Sequence, residues 1–457
     1  MRVLIVTPPT KDQPVARDMM GGLGFDGGDA VVLPPLDLAY IAATLLSKGY
    51  EAKIVDSNIE NYGAEDIFHI TREYAPDVIM APVSLPTLYK DCSFLESLRR
   101  AFSAKIIAKT GISYPPILKE ILEKTSADFC IYGECDTNID QILSGKEKSG
   151  TAWLGDDGLE IEDNQLIDNL DSLPLPARSL LPNEKYHYVL LGDKTTTMQT
   201  SRGCPFACNY YCPYPLVQGR KWRARSPEHV CEEIEDIKVN YNINKILFRD
   251  AVFTLDKERT KQICDLIIKN RFGFEWWCET RINCLDKQLI RKMKQAGCQG
   301  MNVGLETGDP EILESQAKPG VTLSQLKDIT SFSKNVGMKL HFLLMVGLPG
   351  ETKASLYQTY KLVQKLTPQS IGITFVTPYP GTPLYFEAKK KGWLITEDWS
   401  KFGGHHPVMH TDNLSTEDLL EAQRMIYQGF HLSRSSSLKK LAGTRLKNNR
   451  FRRWAFC

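Results

Sequence analysis

Three cysteines, Cys204, Cys208 and Cys212, stand at equal intervals in the stretch SRGCPFACNYYCPYP, residues 201–215. Thiolates at this spacing bind metal. A structural zinc site accepts cysteines two to four residues apart but asks for four protein ligands, and no histidine or further cysteine lies near this stretch to complete one. An iron–sulfur cluster is the other chemistry open to thiolates. On a four-iron cube, three thiolates leave one iron without a protein ligand, and an open iron binds a substrate or cofactor rather than only relaying electrons.

The elements around the loop place it. From Thr196, six strand-like runs alternate with helical patterns: TTMQTSRG, KILFRD, FEWWCETR, GMNVGLE, LHFLLMVGLPG and SIGITFVTPYPG. Each ends in polar or glycine-rich residues, which predicts an incomplete (β/α)6 TIM-like barrel over residues 196–390 with its active face at the strand carboxyl ends. The cysteine loop follows the first strand and so stands at the barrel mouth. Residues 1–145 alternate in the same way, through RVLIVTPP, EAKIVDSN, DVIMAPVS, AKIIAKTG and FCIYGE, with LDLAYIAATLLSKGY reading as a helix ended by Gly49. That pattern predicts an α/β, doubly wound, Rossmann-like domain, whose ligands sit beyond the strand carboxyl ends. Those ends carry Thr7, Pro8, Asp56, Ser84, Gly111, Gly133 and Glu134. The long first connection contains GGLGFDGGDA, whose glycines let backbone approach a ligand. It does not match the dinucleotide fingerprint G-x-G-x-x-G, so nicotinamide is not expected. Residues 146–195, acidic and then proline-punctuated, read as a linker, and 391–457 as a helical C-terminal region with a basic tail.

At 457 residues, 42% hydrophobic and 24% charged, the chain has material for two or three domains with proper cores. Its formal net charge of +1 gives no global attraction for nucleic acid or membrane. The start MRVLIVTPP is no signal peptide and no apolar span approaches membrane length, so the cytoplasm is the expected compartment. From Ser433 to Cys457 there are eight Lys or Arg and no Asp or Glu. Such a tail is either solvated or in weak contact with an anionic surface. Most of the twelve cysteines read as reduced core residues.

GCPFACNYYCPYP resembles the cluster loop of radical S-adenosylmethionine (SAM) enzymes. RKWRARSPEHVCEEI, FRDAVFT, WWCETR, GCQGMNVGLETGDPEIL, VGLPGET and TPYPGTPLY follow in the order shown by the cobalamin-binding branch of that superfamily. One departure stands out. The family has three and then two residues between its cysteines, whereas Asn209, Tyr210 and Tyr211 fill the second gap here. Tyr211 keeps the aromatic position before the last cysteine, so Tyr210 behaves as the insertion. An extra residue adds about 3.3–3.6 Å of reach, which a bulge would absorb.

The resemblance implies a [4Fe-4S] cluster on Cys204, Cys208 and Cys212, with SAM chelating the open iron and cleaved to a 5′-deoxyadenosyl radical. By motif position it implies SAM contacts from Asp250, Glu279, Arg281 and Glu306, with Tyr211 packing near the adenine. Arg281 and Glu306 also fit an interior ion pair. The N-terminal domain resembles the cobalamin module, and its strand-end residues become the cobalamin-binding candidates. The D-x-H-x-x-G motif that gives cobalt a histidine is missing. The implied reaction is methyl transfer from methylcobalamin to an unactivated carbon of a small-molecule substrate, with electrons from an external donor of flavodoxin or ferredoxin type. The same residues also admit a cobalamin-dependent reaction without methyl transfer (cyclisation, ring contraction or hydroxylation) and a non-catalytic cobalamin- or zinc-binding protein. No catalytic residue is assigned.

Overall fold

The computed structural model describes residues 1–10, 13, 15–17 and 22–434. The run Val3-Leu4-Ile5-Val6, apolar toward both faces, is stable only as a strand covered on both sides, and all four side chains are fully buried. The chain divides into two compact units. One comprises Met1–Pro205, Pro213–Ala251 and Asn270–Glu275; the other comprises Phe206–Cys212, Val252–Lys269 and the residues from Trp276 onward.

In the first unit, seven strands form one sheet: β1 (Arg2–Thr7), β2 (Glu51–Asp56), β3 (Val78–Pro82), β4 (Lys105–Lys109), β5 (Phe129–Ile131), β6 (Thr151–Gly155) and β7 (Gly158–Ile161). Their order is β7-β6-β5-β4-β3-β1-β2. The five strands β1 to β5 run parallel, and helices such as Leu36–Ser47 and Leu88–Ala101 make the crossovers. Order 2-1-3-4-5 is the doubly wound arrangement whose switch point lies between β1 and β3. Residues 146–195, read as a linker, instead contribute β6 and β7, which add antiparallel strands to the sheet edge. Two short strands joined by the Asp156-Asp157 turn leave too little periodicity to separate from a connection. The same unit holds β8 (Thr195–Met198) paired in parallel with β9 (Lys245–Phe248).

A buried brace ties these pieces together. Arg178, from the proline-punctuated segment, donates to Thr196 Oγ1 at 2.6 Å, to the Thr197 carbonyl at 2.8 Å and to Glu233 at 2.6 Å. Arg225 pairs with the other oxygen of Glu233, on helix Pro227–Tyr241.

In the second unit, β10 (Glu275–Thr280, counted here from Trp276), β11 (Cys298–Glu306), β12 (Lys339–Val346) and β13 (Ser370–Phe375) pair in parallel in chain order. Each is followed by a helix. With β8 and β9 the expected six strands are all present, the strand and helix alternation of an incomplete (β/α) barrel. Helix Thr416–Arg434 protects the last strand: Ile373 N–H donates to the Tyr427 hydroxyl and Gln423 donates to the Ile373 carbonyl. Covering an edge in this way prevents pairing with another chain.

Trp277 lies across β11, where its Nε1 donates to Asn302 Oδ1 at 2.7 Å. A Cβ on Gly300 would come within 2.3 Å of that indole and 2.7 Å of the Lys339 carbonyl. Gly300→Ala is therefore expected to cost about 1–3 kcal/mol through overpacking, read as a lower denaturant midpoint. An unchanged midpoint would mean that the indole moves aside freely.

Among the described residues no helix is long and apolar enough to cross a membrane. Residues 435–457, which carry most of the basic tail, lie outside the described residues, as does Gly21 of the glycine-rich connection.

Candidate active site

The cysteine loop leaves β8 through a fixed entry. Asp250 is fully buried after β9 and accepts from the Thr200 hydroxyl at 2.8 Å, the Thr200 amide at 3.1 Å and the Ser201 hydroxyl at 2.5 Å. Its carboxylate thus holds the backbone that leads into the loop. Cys204 is buried, and its amide donates to the Gly219 carbonyl at 3.2 Å.

The three-residue gap is not absorbed as a bulge. Ala207–Tyr210 form a short 3-10 turn, and the Cys212 amide donates to the Cys208 carbonyl at 3.1 Å. Cys208 and Cys212 are therefore one helical step of four residues apart. That step returns to the same face of the turn and brings the Cβ atoms to about 5–6 Å. The insertion completes a turn instead of lengthening an extended loop.

Cations surround these thiols. The Arg281 guanidinium, buried, lies 3.7 Å from Cys208 Sγ through Nη1, donates to the Pro319 carbonyl at 3.2 Å, and stacks on the Phe206 ring with 3.9 Å to its centroid. Lys318, half-buried, forms an ion pair with the buried Glu306 at 3.2 Å. A hydrogen bond from Cys212, aided by Lys318 and Arg281, brings the Cys208 thiol down to about 5 against its burial. At neutral pH it is a thiolate, the form that ligates metal. Burial, and the charges of Glu306 and Cys208, push the Tyr211 phenol well up, so it stays neutral.

Glu306 sits in strained backbone. Its φ is +62°, in the left-handed region that non-glycine residues avoid, and the β11–β12 register shifts between Gly304 and Glu306. Such strain concentrates where a side chain must be aimed. Burial holds its carboxyl above the ordinary range.

The structure thus brings Tyr211, Arg281 and Glu306 to Cys208 and Cys212. Glu306 pairs with Lys318, and no direct Glu306–Arg281 bond is needed to hold it. Glu279 lies on β10 beside Asn302 in register, and its carbonyl accepts from the Phe253 amide at 2.9 Å. Lys318 stands in the connection after β11, where nothing in QAKPG marks a lysine as the partner of a buried glutamate. The donor set fits a thiolate-bound cluster, with two thiols on one face and cations beside the Cys208 sulfur. Among the described residues no three His, Cys, Asp or Glu side chains converge on a single ion position.

In the first unit the strand-end candidates fall into two groups. Thr7 donates to Asp56 at 3.0 Å, and Asp56 also accepts from the Tyr186 hydroxyl at 3.0 Å. At the β1/β3 switch point Arg17 bonds the Pro8 carbonyl at 3.2 Å, Ser84 Oγ at 3.4 Å and Asp91 at 2.7 Å. Gly24 lies against Ser84, and Gly22 accepts the Gly111 amide at 3.1 Å. Thr7, Pro8, Asp56, Ser84 and Gly111 are thus engaged with one another or with this strap. Gly133 and Glu134 instead border a recess also lined by Asp37, Tyr40, Lys109 and Arg202. There Glu134 takes a bidentate bond from Arg223 at 2.8 Å, and Arg202 donates to Asp136 at 2.8 Å. Burial raises the Asp37 carboxyl above its ordinary range.

Comparison with known proteins agrees with this architecture. Residues 198–363 match the family model of the Radical SAM superfamily. The chain is 29% identical over 444 residues to the uncharacterized methyltransferase PH0819 of Pyrococcus horikoshii, covering 94% of this chain and 93% of that one. It is 25% identical to the anaerobic magnesium-protoporphyrin IX monomethyl ester cyclase of Rubrivivax gelatinosus, covering 88% and 74%. The fold matches that of the radical S-adenosylmethionine methyltransferase TsrM from Kitasatospora setae, solved with cobalamin and a [4Fe-4S] cluster. That match has a TM-score of 0.71 and 15% identity, over 95% of this chain and 89% of that one. Over most of its length the chain is thus similar to these proteins, and the Radical SAM match itself falls on residues 198–363.

Proposed function

We propose that the protein is a cobalamin-dependent radical SAM methyltransferase that places a methyl group on an unactivated carbon of a small-molecule substrate. The observation that carries this reading is the turn that sets Cys208 and Cys212 on one face beside Arg281 and Lys318. Cys204, Cys208 and Cys212 would hold the cluster. When bound, the cluster and SAM supply a 5′-deoxyadenosyl radical, and cobalamin serves as methyl carrier. Tyr211 offers a neutral aromatic face to an adenine, and Arg281 and Lys318 offer positive charge to a carboxylate. Glu279 and Glu306 are the acceptors for amino or hydroxyl groups, and Asp250 keeps the loop entry in place.

The expected boundaries assign the cobalamin module to residues 1–145 and the barrel to 196–390. The recess at Gly133 and Glu134 presents a donor from Lys109 and an acidic group, Asp37, both of that module, and a second donor from Arg202 beyond it. A corrinoid rim of amides needs both kinds of partner. Thr7, Pro8, Asp56, Ser84 and Gly111, at the other strand ends of the module, are the remaining candidates for cobalamin contact. Electrons would come from an external flavodoxin- or ferredoxin-type donor, and the compartment would be the cytoplasm.

The similarity to a cyclase keeps one second reading in view, cobalamin-dependent radical chemistry without methyl transfer. Counting products separates the two. Anaerobic turnover with the true substrate is expected to release S-adenosylhomocysteine together with 5′-deoxyadenosine. Release of 5′-deoxyadenosine alone would select the second reading.

A further inference from the structure

The residue that sets this loop apart from the family spacing has a partner of its own. The Tyr210 hydroxyl donates to Glu387 Oε2 at 2.7 Å, across 177 residues of sequence. Glu387 lies on helix Pro383–Lys391, which packs against the Ala207–Tyr210 turn. Lys391 holds Glu387 at 3.0 Å and faces Asp412 at 3.7 Å, and Asp412 in turn accepts from Trp393 Nε1 at 2.8 Å. A single helical turn is not stable alone, because nucleation fixes several residues for one hydrogen bond. Cys208 and Cys212 share a face only while that turn stays closed. Something outside the turn must hold it, and the Tyr210–Glu387 bond comes from the helix already packed there.

We propose that Tyr210 is a positioning residue of the cluster loop: bonded to Glu387, it latches the extra turn closed and so keeps Cys212 in place as a ligand despite the three-residue gap. This rests on the reading of Cys204, Cys208 and Cys212 as cluster ligands.

The test uses the full chain, reconstituted anaerobically with iron and sulfide, as the parent and as Tyr210→Phe, Glu387→Ala, the double variant and Glu387→Gln. Three quantities are read: the rate of iron release to a ferrous chelator, the paramagnetic resonance of the dithionite-reduced cluster, and the melting temperature of the iron-free chain. Tyr210→Phe and Glu387→Ala are each expected to release iron about five- to tenfold faster, the size of one hydrogen bond to a partly exposed carboxylate, and to broaden the resonance. The double variant should be no faster than either single one, because both remove the same bond. Glu387→Gln, which keeps an amide oxygen as acceptor, should stay within about threefold of the parent. Iron-free melting should not change. Parental release rates in both single variants, additive effects in the double, or a matching fall in iron-free melting would overturn the latch. If the parent itself takes up no iron, the cluster reading fails and the latch with it. If parent and variants hold iron equally well, only the latch fails.

Discussion

Cys208→Ala is expected to leave a folded chain that binds no four-iron cluster. Iron should fall from about four per chain to below about one, and the brown colour and all 5′-deoxyadenosine formation should be lost. The size of the effect follows from the position of this thiol. Cys208 receives the hydrogen bond from Cys212 and sits beside the Arg281 guanidinium and the Lys318 ammonium. Three thiolates are the minimum for a cube with one open iron, so a chain with two has no substitute ligand. Removing a small buried thiol costs the fold only about 1 kcal/mol, and melting should drop by no more than a few degrees. Near-parental iron in Cys208→Ala would mean that the metal is held elsewhere.

Glu233→Gln should produce the largest stability loss among single substitutions in the first unit. Glu233, Arg178 and Arg225 are essentially fully buried, and the one carboxylate faces both guanidinium groups. Removing its charge strands two buried cations, which costs about 3–5 kcal/mol, or a fall of roughly 10 °C in the melting temperature of a unit this size. The pH dependence has a definite sign. Burial works against ionisation of Glu233, but Arg225 and Arg178 prevail and hold its carboxyl below the ordinary glutamate range. A depressed folded-state value contributes stability that is complete above about pH 4.3, the unfolded value. That contribution is lost as pH falls through the folded value. The parent should therefore lose stability steeply on acidification, and Glu233→Gln should lose less across the same interval. Equal acid slopes would show that the brace does not depend on the Glu233 charge.

Much of this architecture is legible in the amino-acid order because it is local. Most barrel strands announce themselves by an apolar run with a polar or glycine end, the first being threonine-rich instead, and the cysteines declare metal chemistry by type and spacing. Tyr211, Arg281 and Glu306 follow from motif position, and the structure gathers them at Cys208. What stayed hidden is set by contacts across long sequence separations. Lys318 reads as a surface residue of a glycine–proline turn until β11 places Glu306 beside it. Tyr210 reads as a surplus residue until helix Pro383–Lys391 supplies Glu387. Arg17 looks like an ordinary charge in a loop, yet it closes the switch point over Pro8 and Ser84. In 146–195 the prolines mask two strands and the buried Arg178, since only the partner sheet and Glu233 reveal why those residues are needed.

The central claim is a cube of iron and sulfur held by three cysteines, with its fourth iron open to SAM. Low-temperature paramagnetic resonance of the anaerobically reconstituted, dithionite-reduced chain, recorded with and without SAM, tests it most directly. A low-spin signal whose g values move when SAM is added is the predicted result. A silent sample, or a signal that SAM leaves unchanged, would contradict it.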